Sequence, residues 1–561
     1  MKTGARVPGS GVRVCRVMAA VALLLAAAVS SGAQRAKLTV LFTSDVHAHV
    51  LPFDDVRERP ARGSLAQVAT VVARLRRENP RTVVLDGGDA IEGTPLGYYA
   101  NTGPGVAGSD PTIAAMDVIG YDAAVVGNHE FNFGLAALRR SLAQASFPWL
   151  AANLKGAGEA RLALRDELVL TRGGVRVGIL GLTNPNVPHW EPASHRRGLG
   201  FADPVAVARE RLAGLRRRAD VVIVVVHSGF ERDPATGEPN GSDDENYAWR
   251  LAQLPGIDLL LTGHTHEDIP PRALGATVVA QPGRWAELVT RVDLELARTG
   301  RTWRVSGWRG ENLKIETEPP SSGVEAAVAA QEARVKAELA RPVGRLTAPL
   351  QVVGLPTGDE ASIDLVHAVQ LEASGAQLSL AAPLRGGRIE FPAGPLTARL
   401  AFALYPYPNT LVVVRLTGRE LEDVLEHAVR GWVGLDCGDG APRLLRERNL
   451  PTYNFDTLEG ATYFVDPTAP PGARLRGLRV AGKPVKDDDT FSVVINSYRA
   501  AGGGGYPHLA EAPRVREIDR PMVDLLVEYF ARHTALTPGT DQNWAFTVPL
   551  REGQQPAARV P

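Results

Sequence analysis

Short runs of Val, Ile and Leu recur along residues 37–292, each bounded by Gly, Asp or Pro. Brief apolar runs closed by turn formers are the mark of buried strands, so the pattern predicts strands at 38–42, 82–85, 123–126, 175–182, 221–226 and 257–261. Segment 64–78 instead spaces its apolar residues along one face of a helix. Strands alternating with helices predict a layered α/β domain. A further β-like piece at 302–310 is followed by a turn-rich break at 318–323, then by an Ala- and Glu-rich helix at 324–339 that Pro342 stops. Beyond it, strands are predicted at 410–416 and 491–495 and a helix at 420–429. The predicted division is a leader at 1–33, a first domain at 34–320, a linker helix at 321–342, a smaller α/β (α+β) domain at 343–550 and a tail at 551–561.

A chain of 561 residues has room for two to four domains of about 150 residues. Hydrophobic residues at 44% and charged residues at 22% exclude a wholly disordered chain. Basic and acidic residues balance at 62 each, which argues against binding a nucleic-acid polymer through bulk positive charge. The first residues change the picture. Lys2, Arg6, Arg13 and Arg16 precede an apolar core at 18–29, and Ser31-Gly32-Ala33 follow it. This is the pattern of a secretory leader, and the core falls short of the ~20 residues a bilayer span needs. Cleavage after Ala33 is expected, leaving 58 basic and 62 acidic residues, no stable membrane anchor, and a periplasmic or secreted location. Cys15 departs with the leader, so Cys437 stands alone and no internal disulfide is expected. Nothing in the chain specifies an oligomer.

Five groups of metal-type residues each follow directly on an apolar run: Asp45-Val46-His47, Gly87-Gly88-Asp89, Gly127-Asn128-His129-Glu130, His227 and Gly263-His264-Thr265-His266. In an open α/β sheet, side chains at the carboxyl ends of strands converge on one place. A lone His or Asp there is an ordinary cap; five such groups in succession predict a metal site. Imidazole, carboxylate and one amide oxygen, without thiolate, suit Zn, Mn or Fe.

Taken in order, these motifs resemble those of the calcineurin-like metallophosphoesterases. The resemblance implies a layered sandwich domain with two divalent metal ions. Carried over residue by residue, Asp45, His47, Asp89 and His266 would hold one ion, and Asp89, Asn128, His227 and His264 the other, with Asp89 bridging. It also implies that His129 is no ligand but stands beside the phosphate, stabilising charge or protonating the leaving oxygen.

The later residues are similar to the 5′-nucleotidase C-terminal domain, reached through a linker helix. Gly127-Asn-His-Glu-Phe-Asn-Phe-Gly134, Tyr405-Pro-Tyr-Pro-Asn-Thr-Leu411, Tyr453-Asn-Phe-Asp456 and Asn496-Ser-Tyr-Arg499 resemble most the bacterial 2′,3′-cyclic-nucleotide 2′-phosphodiesterase/3′-nucleotidases. Asn132 stands where 5′-nucleotidases usually carry Asp; it can orient the His129 imidazole but gives its cation no full negative charge. Tyr407 and Tyr498 stand where they usually carry Phe, and are expected to sandwich the base. Asn409 is expected to hydrogen-bond base or sugar, and Arg385 or Arg388 to approach an anion. Gly504 occupies a place where 5′-nucleotidases often have Asp. The resemblance thus implies a nucleotide substrate and hydrolysis of cyclic and then 3′-phosphates. The rivals are a 5′-nucleotidase or nucleotide-sugar hydrolase, a sulfur-compound hydrolase of similar architecture, and a non-catalytic exported nucleotide-binding protein.

Overall fold

The computed structural model describes residues 1, 4, 34–102, 109–242, 245–354, 357–385, 387–436, 443–446, 450–547 and 557–558. Most of the expected leader, both cysteines and most of the expected tail lie outside the described residues. In chain order the first half runs β1 (Arg35–Thr43), α1 (Leu65–Glu78), β2 (Thr82–Asp86), α2 (Pro95–Thr102), α3 (Pro111–Ile119), β3 (Ala123–Val125), α4 (Gly134–Gln144), β4 (Trp149–Leu150), β5 (Glu167–Arg172), β6 (Val175–Leu182), α5 (Pro204–Arg218), β7 (Val221–Val226), α6 (Ala248–Ala252), β8 (Leu259–Thr262), β9 (Asp268–Leu274), β10 (Thr277–Pro282), β11 (Leu288–Thr299) and β12 (Thr302–Lys314).

Two six-stranded sheets result, in the orders β12-β11-β1-β2-β3-β4 and β9-β10-β8-β7-β6-β5. Strands β1 to β4 are mutually parallel, as are β6, β7, β8 and β10, while the flanking strands are antiparallel. Side chains alternate between faces along a strand, and this period builds the layers. Val40, Phe42, Val83 and Leu85 meet Val177, Ile179, Val225 and Leu261 in one buried cluster between the sheets. Their neighbours Leu41 and Val84 face outward onto α1, α3 and α4. On the far side Leu180, Val222, Val224 and Leu260 pack with α5 and α6. The result is a four-layer α/β/β/α sandwich.

Helix α1 starts where Ser64 accepts a hydrogen bond from Gln67 N, a side-chain cap for an otherwise unpaired amide. Helix α7 (Ser322–Ala340) buries Val324, Val328, Val335 and Leu339 in the same cluster as α1 and α3. It therefore lies on the sandwich rather than standing free between two bodies.

The second half contains α8 (Ala361–Ser374), β13 (Leu378–Ala381), α9 (Arg399–Leu404), β14 (Leu411–Thr417), α10 (Gly418–Ala428), β15 (Thr457–Glu459), β16 (Thr490–Asn496), β17 (Arg514–Ile518) and α11 (Met522–Arg532). Its largest sheet has the order β15-β13-β16-β14-β17. Leu378, Leu380, Val412, Val414, Val493 and Ile495 of that sheet pack with Leu421 and Leu425 of α10. The halves touch through the Arg399–Glu58 ion pair at 2.6 Å and the Tyr98–Asp524 hydrogen bond at 2.8 Å. Among the described residues, no helix is long and apolar enough to cross a membrane.

Candidate metal centre

Because β1, β2 and β3 run parallel in one sheet and β7 and β8 in the other, the residues after them gather at one edge of the sandwich. Ligand-type atoms of Asp45, His47 and His266 lie within 4.8 Å of one another, and so do those of Asp89, His227 and His264. Asn128 Oδ1 joins the second trio, 3.1 Å from His227 Nε2 and 2.9 Å from His264 Nδ1. All seven expected ligands thus meet in two adjoining groups. Five of them have left-handed backbone: φ is 54° at Asp45, 47° at His47, 56° at Asp89, 73° at His264 and 60° at His266. Such conformations are costly without glycine, and they concentrate where function fixes the geometry.

The loops are held close by two devices. A Cβ at Gly127 would lie 2.2 Å from Asp89 Oδ1, so only glycine lets the β3 loop pass the carboxylate. The buried Glu130 carboxylate accepts from Asp89 N at 2.8 Å, Ala90 N at 2.6 Å and Gly127 N at 2.6 Å, tying the β2 and β3 loops together. In the sequence Glu130 reads only as the last letter of a motif.

The donor set fits divalent cations. His227 Nδ1 lies 2.8 Å from the Gly87 carbonyl, leaving Nε2 as a lone-pair donor 3.0 Å from Asp89 Oδ2. His264 Nε2 is taken by Glu245 at 2.9 Å, which leaves Nδ1 free to ligate. His47 Nδ1 stands 3.1 Å from the Glu92 carbonyl, and its Nε2 faces His266 Nε2 at 3.0 Å. Partners of this kind fix ring orientation and tautomer around a metal. Burial works to raise the Asp45 and Asp89 carboxyls, but the neighbouring imidazoles outweigh it and hold both below the usual carboxylate range. Carboxylate oxygens and imidazole nitrogens thus converge in a buried place, a donor set that a cation would bind by displacing the imidazole protons.

Beside this centre, His129 Nδ1 lies 2.7 Å from Asn132 Oδ1 and 3.3 Å from Glu92 Oε2. Asn132 Nδ2 continues to Glu191 Oε1 at 2.5 Å. Burial opposes the His129 cation, yet Asp89, Glu92, the Asn132 bond and Glu191 raise its pKa to about 9. Asn132 orients the ring without giving its cation a full charge; Asp89, Glu92 and Glu191 supply the negative charge instead.

The second half faces the same place. Tyr407 lies nearly parallel to His129, ring centroids 6.4 Å apart at 20°. Tyr498 meets Tyr453 edge-on at 6.4 Å. Burial, then Tyr498, Tyr407 and Glu245, holds the Tyr453 phenol well above its ordinary value, so three tyrosines of the second half cluster beside a carboxylate of the first. A Cβ at Gly503 would lie 2.4 Å from the Tyr498 ring, which explains a glycine there. Arg385 reaches toward Tyr407, Asp54 and His49, and its Nη2 donates to the Phe402 carbonyl at 3.3 Å. Arg388 is exposed and bonds Gln351 at 3.3 Å. Asn409 Nδ2 donates to Tyr405 Oη at 3.4 Å. Glu92, Glu191, Glu245, Trp190 and Tyr453 were not marked as site residues by the sequence.

The architecture and donor set define a metallohydrolase with a two-cation centre at the sheet edge. Residues 38–268 match the family described as calcineurin-like phosphoesterase, and residues 342–511 match the 5′-nucleotidase C-terminal domain. Residues 38–268 thus form a calcineurin-like phosphoesterase domain and residues 342–511 a 5′-nucleotidase C-terminal domain, and the chain is a metal-dependent phosphoric ester hydrolase. Among relatives, the trifunctional nucleotide phosphoesterase protein YfkN of Bacillus subtilis is 29% identical, over 92% of this chain and 39% of its own length. The 2′,3′-cyclic-nucleotide 2′-phosphodiesterase/3′-nucleotidase of Yersinia enterocolitica is 28% identical over 95% of this chain and 91% of its own. The crystal structure of a 5′-nucleotidase precursor from Thermus thermophilus, 23% identical, shares the fold with a TM-score of 0.67 over 92% of this chain and all of that one.

Proposed function

We propose that this protein is an exported phosphohydrolase that opens 2′,3′-cyclic nucleotides to 3′-nucleotides and then releases nucleoside and phosphate. The observation that carries the reading is the meeting of two chemistries in one place: the cation-type trios with His129, and Tyr407, Tyr453 and Tyr498 beside them. Metal ligands alone would serve any phosphate ester, whereas aromatic faces beside them favour a base. The name of the Yersinia relative, similar along nearly the whole chain, supports the cyclic and 3′ phosphates. A periplasmic or secreted location follows from the leader pattern at 1–33.

Asp45, His47, His266 and Asp89 would hold one cation, and Asp89, Asn128, His227 and His264 the other, with Asp89 shared. Two divalent cations there would polarise phosphoryl oxygens and ease ionisation of an attacking water. The chain's own residues do the rest. Tyr407 and Tyr498 hold the base, Arg385 lends positive charge beside Tyr407, and His129 presents Nε2 to the phosphate while Nδ1 stays on Asn132. From Nε2 a proton can pass to the leaving ribose oxygen.

The test is hydrolysis of 2′,3′-cyclic AMP, 3′-AMP and 5′-AMP by metal-loaded protein, with chelation and metal add-back. The reading expects turnover of the first two to exceed that of the third. Preference for 5′-AMP would move the protein to the 5′-nucleotidases, whose C-terminal domain it carries.

A further inference from the structure

The loop after β6 carries two neighbouring side chains to different members of the site. Trp190 stacks on His264, ring centroids 5.0 Å apart at 30°. The next residue, Glu191, is only 6% exposed and reaches Asn132. Its carboxylate is held at both oxygens: Oε1 lies 2.5 Å from Asn132 Nδ2, and Oε2 lies 3.2 Å from His195 Nδ1. Its carbonyl accepts from Arg196 Nε at 3.1 Å, which braces the loop.

We propose that Glu191 is a positioning residue for phosphoryl transfer, fixing the Asn132 amide and, through it, the orientation of the His129 ring. The inference rests on the hydrolase reading above. An ionised carboxylate only accepts hydrogen bonds, and an amide nitrogen only donates them. Glu191 Oε1 therefore requires Asn132 to present Nδ2 to it, which turns Asn132 Oδ1 toward His129. Oδ1 in turn only accepts, so His129 keeps one proton on Nδ1, where Glu92 Oε2 at 3.3 Å also accepts, and Nε2 with its own proton is the atom offered to substrate. An isolated asparagine carries no such instruction, because its two ends are nearly isosteric and can exchange places. The 5′-nucleotidase pattern puts an acid directly behind the histidine. Here the acid is one residue further out, with Asn132 as the intermediary.

The exchange of roles tests this. Glu191→Ala, Glu191→Gln, Asn132→Asp and the double variant Asn132→Asp/Glu191→Gln are compared with wild type as full-length, metal-loaded proteins. The substrate is whichever of 2′,3′-cyclic AMP, 3′-AMP and 5′-AMP the wild type turns over fastest, and metal content and melting temperature are measured alongside. Asn132→Asp sets two carboxylates face to face, and Glu191→Ala frees the amide. Each is expected to lower kcat by about 10- to 100-fold while KM stays within about threefold, as for loss of a group that serves the transition state. The double variant keeps an acceptor toward His129 and a donor between residues 132 and 191. It is expected to recover kcat to within about threefold of wild type.

A double variant no faster than Asn132→Asp alone overturns the proposal, as does a Glu191→Ala enzyme with wild-type kcat. Losses that track falling metal content or melting temperature would assign Glu191 to the fold instead and also overturn it. Wild type that cleaves bis-p-nitrophenyl phosphate but no nucleotide would contradict the substrate reading, and the same variants are then judged on that ester.

Discussion

At the scale of single residues, the seven candidate ligands stood out because metal chemistry allows few residue types and strand ends fix where they stand. Asp45, His47, Asp89, Asn128, His227, His264 and His266 all reach the two trios. The residues around them were not legible. Glu92, Glu191 and Glu245 are ordinary carboxylates in loops, and only the folded chain brings them to His129 and His264. Asn132 shows why this matters, since its effect on His129 depends on a residue 59 positions away. Asp89 offers the sharpest prediction. Asp89→Asn removes the one carboxylate of the second trio and its negative charge, while an Oδ1 acceptor for the His129 amide remains. Activity should fall by at least about 100-fold with loss of bound metal, since a bridging charge serves both cations. Elemental analysis beside the assay checks it. Full metal content with normal turnover would remove Asp89 from the bridge.

At the scale of elements, the buried parallel strands were the plainest part of the sequence. The observed β6 and β7 coincide with the predicted 175–182 and 221–226, and α1 begins one residue after its cap. The strand predicted at 257–261 begins instead at Leu259, because residues 257 and 258 still belong to the irregular connection after α6. The long β11–β12 hairpin was only partly read. Its outer strand β12 alternates buried, intermediate and exposed positions irregularly, with a register shift between Glu295 and Leu296 on β11. A bulge of this kind breaks the two-residue period on which the reading depends. Gly127→Ala tests the loop geometry, since its Cβ would collide with Asp89 Oδ1. A backbone shift there is expected to cost metal affinity by about 10-fold or more, measured by titration of apo protein, whereas exposed Gly256→Ala should leave affinity unchanged.

At the scale of the whole molecule, the two halves divide the work: one holds cations, the other carries the aromatic faces. Helix α7, expected as the connection, is packed on the sandwich through Val324, Val328, Val335 and Leu339. Any swing of the second half must therefore turn beyond Ala340 and release the Arg399–Glu58 and Tyr98–Asp524 contacts. If Tyr407 and Tyr498 hold the base, replacing either with Ala should weaken nucleotide binding by about 1–3 kcal/mol. Hydrolysis of bis-p-nitrophenyl phosphate, which needs no base clamp, should be much less affected. Equal losses on both substrates would make these tyrosines supports of the fold. The account as a whole stands most directly on a time course of 2′,3′-cyclic AMP with the metal-loaded protein, its products separated by chromatography. It predicts that 3′-AMP rises first and then gives way to adenosine and phosphate, with both steps stopped by a chelator. Accumulation of 2′-AMP, or an intact cyclic phosphate beside rapid hydrolysis of 5′-AMP, would contradict it.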